Sequence, residues 1–279
     1  MKIVLNWGIK TSFYRFLKSM LMFTDIVQGK KIKTICFYPD KPITYDIMYW
    51  IAFLNRYRIS DKPENTDILM YWKDSTFHES EKKLINHSKW INIDCTDISK
   101  ETISANFKNV FGYDLIINPL KYKGYCVQKN NLNAKHDGKI IKCPVSHPEP
   151  DFIYQKLINN KVNDNMIVDI RVPIFKDIIP FVYLKYRNIQ TRFLNTNDSA
   201  EIKKTTEILS KQEIERIIEF SRLLNMDYGE LDVLRDNNDK KIYIVDANHC
   251  PSGPPNHLPY WEKFKSLKSL ANCFEKQFG

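Results

Sequence analysis

Glu230-Leu-Asp232-Val-Leu-Arg-Asp-Asn-Asn-Asp-Lys-Lys-Ile-Tyr-Ile-Val-Asp246-Ala-Asn248 reads as two β-strands joined by a polar turn. Side chains alternate across a strand, so Leu231, Val233 and Arg235 point one way and Glu230, Asp232 and Leu234 the other. On the second strand Ile242, Ile244, Asp246 and Asn248 share a face, and Tyr243, Val245 and Ala247 share the opposite one. The Asp-Asn-Asn-Asp-Lys run between them is turn chemistry. A hairpin loop of three or five residues puts Asp232 and Asp246 on the same side, nearly opposite each other. Two carboxylates and an amide oxygen there suit a hard cation. Mg2+ takes oxygen ligands and typically binds through one or two carboxylates plus substrate phosphates. Asp232, Asp246 and Asn248 are therefore the candidate metal ligands.

Composition bounds what surrounds this hairpin. With 43% hydrophobic and 13% aromatic residues among 279, the chain is globular and long enough for two or three subdomains around one site. A net charge of +9 fits a cleft for a polyanion. No nucleic-acid reader motif accompanies that charge, so no specific nucleic-acid partner is expected. The cysteines (Cys36, Cys95, Cys126, Cys143, Cys250 and Cys273) are scattered without a C-x-x-C pair. With no secretory signal in the N-terminal residues, reduced thiols and a cytoplasmic location are expected. No run approaches the roughly 20 apolar residues needed to span a bilayer. Phe13, Phe16, Leu17, Met20 and Leu21 fall at helical spacing, as in a core-facing or docking helix.

The first hundred or so residues read as an α/β unit with a mainly parallel sheet. Its strands are expected at 33–38, 67–72 and 90–94, with a helix from Tyr45 to Tyr57. From Tyr125 the pattern changes. Tyr125-Cys-Val-Gln-Lys129 is a strand ending in a cation, residues 130–138 are a polar loop with Ala134 and Gly138, and Lys139-Ile-Ile-Lys-Cys143 is a return strand. Backbone N–H groups of such a loop can cradle anionic oxygens. Asp151-Phe-Ile-Tyr-Gln155-Lys156-Leu157-Ile158 follows as another strand. Met166-Ile-Val-Asp169-Ile-Arg171-Val-Pro-Ile alternates, and Lys185-Tyr-Arg187 and Thr191-Arg192-Phe193 come next. Arg171, Arg187 and Arg192 carry planar guanidinium forks, each able to engage two oxygens of an anion at once. Ser210-Lys-Gln-Glu213 is a capping box opening a helix whose apolar face carries Ile214, Ile217, Ile218, Phe220, Leu223 and Leu224. After Asn248, the Pro-rich loop through His257 is a candidate substrate wall. His249 and Cys250 lack the partner spacing of a zinc site or a thiol enzyme.

The succession of lysine, small loop, hinge strand, arginine strand, helix, acid and acid-x-Asn resembles the ATP-grasp family over about Lys100 to Pro255. The resemblance implies an α/β chain with α+β subdomains. These would be an N-terminal α/β pre-ATP-grasp domain over 1–110, a lid subdomain over 111–165 and a C-terminal subdomain over 166–279 carrying the metal site. Lys129 matches the lysine that reaches the α- and β-phosphates of ATP, and Lys100 stands where the family often supplies an earlier one. Gln155, Lys156 and Leu157 match the hinge that reads adenine. Arg171 matches the arginine near the γ-phosphate, and Arg187 and Arg192 the basic residues that follow it. Asp232, Asp246 and Asn248 match the positions that hold Mg2+ (or Mn2+), although the family usually has Glu where this chain has Asp246.

The implied activity is ADP-forming ligation of a small-molecule carboxylate to an amine or thiol through an acyl phosphate. The alternative is a kinase acting on a hydroxyl of a sugar, polyol or glycan acceptor. Two further classes compete: a nucleotide-binding regulator without turnover, against which the full Asp232/Asp246/Asn248 set argues, and a polyanion binder selected by charge alone.

Overall fold

The computed structural model describes residues 31–80 and 89–279, with the single positions 27, 29, 85 and 87. The helical spacing at Phe13, Phe16, Leu17, Met20 and Leu21 lies outside the described residues. Strands β1 (Thr34–Pro39), β2 (Arg58–Ser60), β3 (Ile68–Trp72) and β4 (Trp90–Ile91) form a parallel sheet in the order β2-β1-β3-β4. Helix α1 (Ile47–Leu54) crosses between β1 and β2. All of β3 is buried, which is why it reads as an unbroken apolar run. Two details differ from the expectation. Strand β2 was not anticipated, and β4 covers two residues because the chain turns at Asn92, whose φ is 63°. Asn92 is fully buried and joins two layers: its side chain donates to the Tyr228 carbonyl at 2.7 Å and accepts from the Tyr228 N–H at 2.9 Å.

Helix α2 (Lys100–Phe111) opens on Ser99, whose hydroxyl accepts from the Thr102 N–H, and closes on Gly112 at φ 77°. The strand-loop-strand pattern from Tyr125 gives β5 (Gly124–Asn130) and β6 (Lys139–Cys143), joined by β7 (Phe152–Lys156) in an antiparallel sheet ordered β6-β5-β7. Next comes a five-stranded antiparallel sheet. Its strands are β8 (Met166–Phe175), β9 (Val182–Asn188), β10 (Ser199–Lys203), β11 (Tyr228–Arg235) and β12 (Ile242–Asn248), in the order β10-β9-β8-β11-β12.

Between β10 and β11 lie the single turn α3 (Thr205–Ile208) and α4 (Lys211–Leu223). The Ser210/Glu213 capping box is formed in both directions. Ile217 and Phe220 of α4 pack with Val172, Ile174, Leu231, Val233 and Ile244, so the helix backs one face of the five-stranded sheet. Leu223, expected on that apolar face, is exposed at the last turn. Phe220 is fully buried in this cluster, so Phe220→Ala is expected to cost about 3–5 kcal/mol in a denaturant titration.

Helix α5 (Tyr260–Phe278), unread in the sequence, packs against the N-terminal layer. Leu270, Phe274 and Phe278 share one core with Ile35, Ile47, Met48, Ile51 and Ile68 and with Phe175 and Tyr228. Among the described residues no helix is long and apolar enough to cross a membrane.

Candidate active site

Ladder register brings Tyr183, Arg171, Asp232 and Asp246 into one row across β9, β8, β11 and β12. Neighbouring positions on the same face are Asp169 paired with Lys185, Ile167 paired with Arg187, and Glu230 paired with Asn248. The alternation that buries Val172, Leu231 and Val233 against α4 thus turns a charged set to the opposite side.

The hairpin reaches this register differently from the expectation. Its connection runs over 236–241, and Arg235 pairs with Ile242 and Val233 with Ile244. A regular ladder from that start would place Val245 opposite Asp232. Instead the register shifts between Asp232 and Val233, so that Asp232 faces Asp246. Val245 is the extra residue of a β-bulge. Ile242 and Ile244 therefore align with Val233 and Arg235, not with Asp246 and Asn248 as strict alternation implied.

The charged face floors a cleft of about 580 Å³. Its roof comes from β5, β7 and the 130–138 loop, and Asp40, Lys73 and Asp74 close one end from the C-terminal ends of β1 and β3. Compared by sequence, the chain matches no protein-family model and no curated protein. Its fold is similar to that of several solved structures. One is the ATP-grasp ligase PsnB complexed with a phosphomimetic variant of a minimal precursor, Mg and ADP (TM-score 0.55, 9% identity, covering 89% of this chain and 98% of that one). Another is the macrocyclase MdnC bound with precursor peptide MdnA from Microcystis aeruginosa MRC (TM-score 0.51, 10% identity, 86% and 98%). A third is D-alanine–D-alanine ligase from Bacillus anthracis complexed with ATP (TM-score 0.50, 11% identity, 89% and 96%). The chain has the ATP-grasp fold.

Within that ATP-grasp fold, Lys100, Lys129, Gln155, Lys156, Arg171, Arg187, Arg192, Asp232, Asp246 and Asn248 all line the one cleft, and Leu157 is not among its lining residues. Lys100, the first residue of α2, is 5% exposed and donates to Asp246 Oδ1 at 2.7 Å and Asn133 Oδ1 at 3.1 Å. Lys129 is the penultimate residue of β5. Burial in the cleft lowers its ammonium to about 8, with nearby Lys100 adding to the effect and Asp246 opposing it. Gln155 is buried, with Nε2 3.4 Å from Ser104 Oγ of α2. Lys156 lies 2.8 Å from Asp236 Oδ2 and 2.7 Å from Asp239 Oδ2, and its ammonium donates to the Tyr243 hydroxyl at 2.8 Å.

Arg171 and Arg187 are clamped by carboxylates, and Arg192 by neutral oxygens. Arg171 donates from Nε to Asp232 Oδ1 at 3.0 Å, from Nη2 to Asp232 Oδ2 at 3.2 Å and from Nη1 to Glu230 Oε2 at 3.2 Å. Burial works against the charge on Asp232, but Arg171 and Lys185 outweigh it and hold the carboxyl well below its usual range. Arg187 lies 2.7 Å from Asp169 Oδ2 and donates to the Leu194 carbonyl at 2.8 Å. Arg192 reaches the Ile158 carbonyl and Asn160 Oδ1, each at 3.3 Å.

Sequence reasoning did not single out Lys185, Glu230 and Asp169 as site residues. Burial and then Arg171 lower Lys185 to about 8. Burial raises Glu230 to about 7 against the pull of Arg171. The signal was present as i, i+2 pairs: Asp169 with Arg171, Lys185 with Arg187, and Glu230 with Asp232. Once one member faces the site, the other does too.

The donor set fits a hard cation. Asp246 Oδ1 takes the bonds from Lys100 and the Ala247 N–H, and Asn248 Oδ1 takes the Cys250 N–H at 2.8 Å. Glu230 Oε1 is buried with no hydrogen-bond partner among the described residues. No three His, Cys, Asp or Glu side chains converge as a protein-only metal cage among the described residues. Two carboxylates and an amide match the sparse oxygen set of a cation that takes its remaining ligands from water and phosphate.

Proposed function

We propose that the protein is an ATP- and Mg2+-dependent ligase that joins a small-molecule carboxylate to an amine, or a thiol, through an acyl phosphate and releases ADP. The observation that carries this reading is the row Arg171–Asp232–Asp246, flanked by Lys100, Lys129, Lys185 and Arg187 in one cleft of an ATP-grasp fold. Mg2+ would neutralise phosphate charge and would be held by Asp232, Asp246 and Asn248, with Glu230 beside them. Lys129 and Lys100 bind phosphates already charged in the ground state. Arg171, Arg187 and Arg192 meet charge that builds as a substrate carboxylate attacks the γ-phosphorus. The 130–138 loop excludes water from the acyl phosphate until the amine displaces phosphate. Gln155 and Lys156 form the adenine side, and Leu157, which does not line the cleft, is left out of it. The division at 110 and 165 follows the same reading. The cysteines are free, which supports a reducing, cytoplasmic setting.

An ATPase screen against pooled carboxylic acids, amines and sugars, with the product nucleotide identified, tests the reading. ADP formation that requires a carboxylate and an amine together supports it, and AMP formation overturns it. The oxygen-only set at Asp232, Asp246 and Asn248 also sets a cation requirement, because a divalent ion held there would bridge these side chains to the phosphates. ATP should bind at least roughly tenfold tighter in Mg2+ than in chelator by calorimetry. Equal affinities would remove the metal assignment.

A further inference from the structure

One ammonium group ties the floor of the cleft to its roof. Lys100 Nζ bridges Asp246 Oδ1 on β12 and Asn133 Oδ1 in the 130–138 loop, at 2.7 and 3.1 Å. The same end of α2 holds the loop through its backbone. The Lys100 N–H donates to the Asn131 carbonyl at 3.1 Å, and the Glu101 N–H donates to Asn131 Oδ1 at 3.0 Å. Beyond this, the Asn133 N–H donates to Thr76 Oγ1 at 2.8 Å.

Lys100 is 5% exposed, so its charge is poorly screened and depends on these partners. Each of the two facing carboxylates has its own cation: Arg171 on Asp232 and Lys100 on Asp246. Arg171 also has Glu230 and remains anchored if Asp232 turns away. Among the described residues Lys100 has no second carboxylate, and the neutral amide of Asn133 is its other side-chain partner. A divalent cation arriving at Asp246 therefore meets a buried like charge that must move, and the Asn133 contact moves with it.

We propose that Lys100 is a latch that makes metal occupancy of Asp246 and the tie from Lys100 Nζ to Asn133 mutually exclusive, which loosens the 130–138 loop while its bonds to the start of α2 and to Thr76 remain. The latch rests on the metal-site reading above and goes beyond it: it makes the cation the trigger for loosening the loop, with Lys100 freed to meet the phosphates. Cation binding alone is correspondingly weakened, which keeps the site from filling with metal before nucleotide is present.

Mn2+ serves as the probe, with free ion counted by electron paramagnetic resonance and loop opening read by amide hydrogen exchange over 130–138. Saturating Mn2+ should speed exchange of that loop in the wild-type protein by roughly tenfold. Lys100→Met should bind Mn2+ alone roughly tenfold tighter than wild type and show fast loop exchange without it. Lys129→Met removes a positive charge from the same cleft without an ion pair to Asp246, and should tighten Mn2+ by no more than about threefold. Equal tightening in both variants, or loop exchange indifferent to Mn2+ in the wild type, overturns the latch and leaves the proposed function standing. If Lys100→Met does not fold, the wild-type exchange measurement still decides. Failure of wild type to bind Mn2+ even with ADP removes the metal site itself, and the latch with it.

Discussion

Asp246→Asn is expected to lower turnover by on the order of a hundredfold or more, the scale of removing one key electrostatic element from an active site. Asp246 is half-buried in the cleft, pairs with Asp232 across the hairpin and takes the Lys100 ammonium at 2.7 Å. Its side chain takes no part in the apolar cores, so asparagine keeps the shape and leaves Lys100 an amide oxygen in place of its carboxylate, which should lower the melting temperature without abolishing the fold. The variant should retain its far-ultraviolet circular dichroism and cooperative melting. Most of the activity surviving in a folded variant would take Asp246 out of the site.

The second large effect separates two cations. Lys129→Ala should mainly raise the KM for ATP, because it is proposed to hold phosphates charged before reaction begins. Arg171→Ala should mainly lower kcat, again by on the order of a hundredfold, because it is proposed to meet charge that develops in transfer. Arg171 also clamps Asp232 and Glu230, and Glu230 is 3% exposed. Alanine therefore leaves two carboxylates without their cation and should also destabilise the fold by about 3–5 kcal/mol. Arg171→Lys is the cleaner probe. A point charge cannot hold two carboxylates with a planar fork, so it should restore stability better than it restores kcat. Steady-state kinetics with saturating acceptor, run beside a denaturant titration, separates the two effects. A pure KM effect in both Arg171 variants would make Arg171 another ground-state contact.

Local chemistry made part of this molecule readable. The Ser210/Glu213 cap, the Gly124–Asn130 and Lys139–Cys143 strands with their polar loop, and the acidic hairpin each carry their signal within a dozen residues. The N-terminal parallel sheet was legible for the same reason, since β1 and β3 are buried apolar runs. What was not legible depends on pairing at a distance. The bulge at Val245 cannot be inferred from alternation, because it corrects a register set by the length of the 236–241 turn. Strand β4 stops early because Asn92 is taken by Tyr228, 136 residues away. Lys185 and Glu230 read as ordinary charged residues until β8, β9 and β11 are placed side by side. Helix α5 has a mixed surface, with Trp261 and Phe264 exposed while Leu270 and Phe274 are buried, so its docking face is defined by the layer it covers.

That helix has a consequence for how the chain is made. Asn55 Nδ2 donates to the Ala271 carbonyl across 216 residues, and the Tyr57 hydroxyl bonds Glu275 across 218. A ribosome thus releases β1, α1 and β3 long before the surface that seals them exists. Their apolar side chains remain exposed during translation of the three-stranded and five-stranded sheets. Closure of the first layer is then one of the last folding events. A nascent chain stalled before residue 260 should present that layer to chaperones and proteases, whereas one extended past 278 should not.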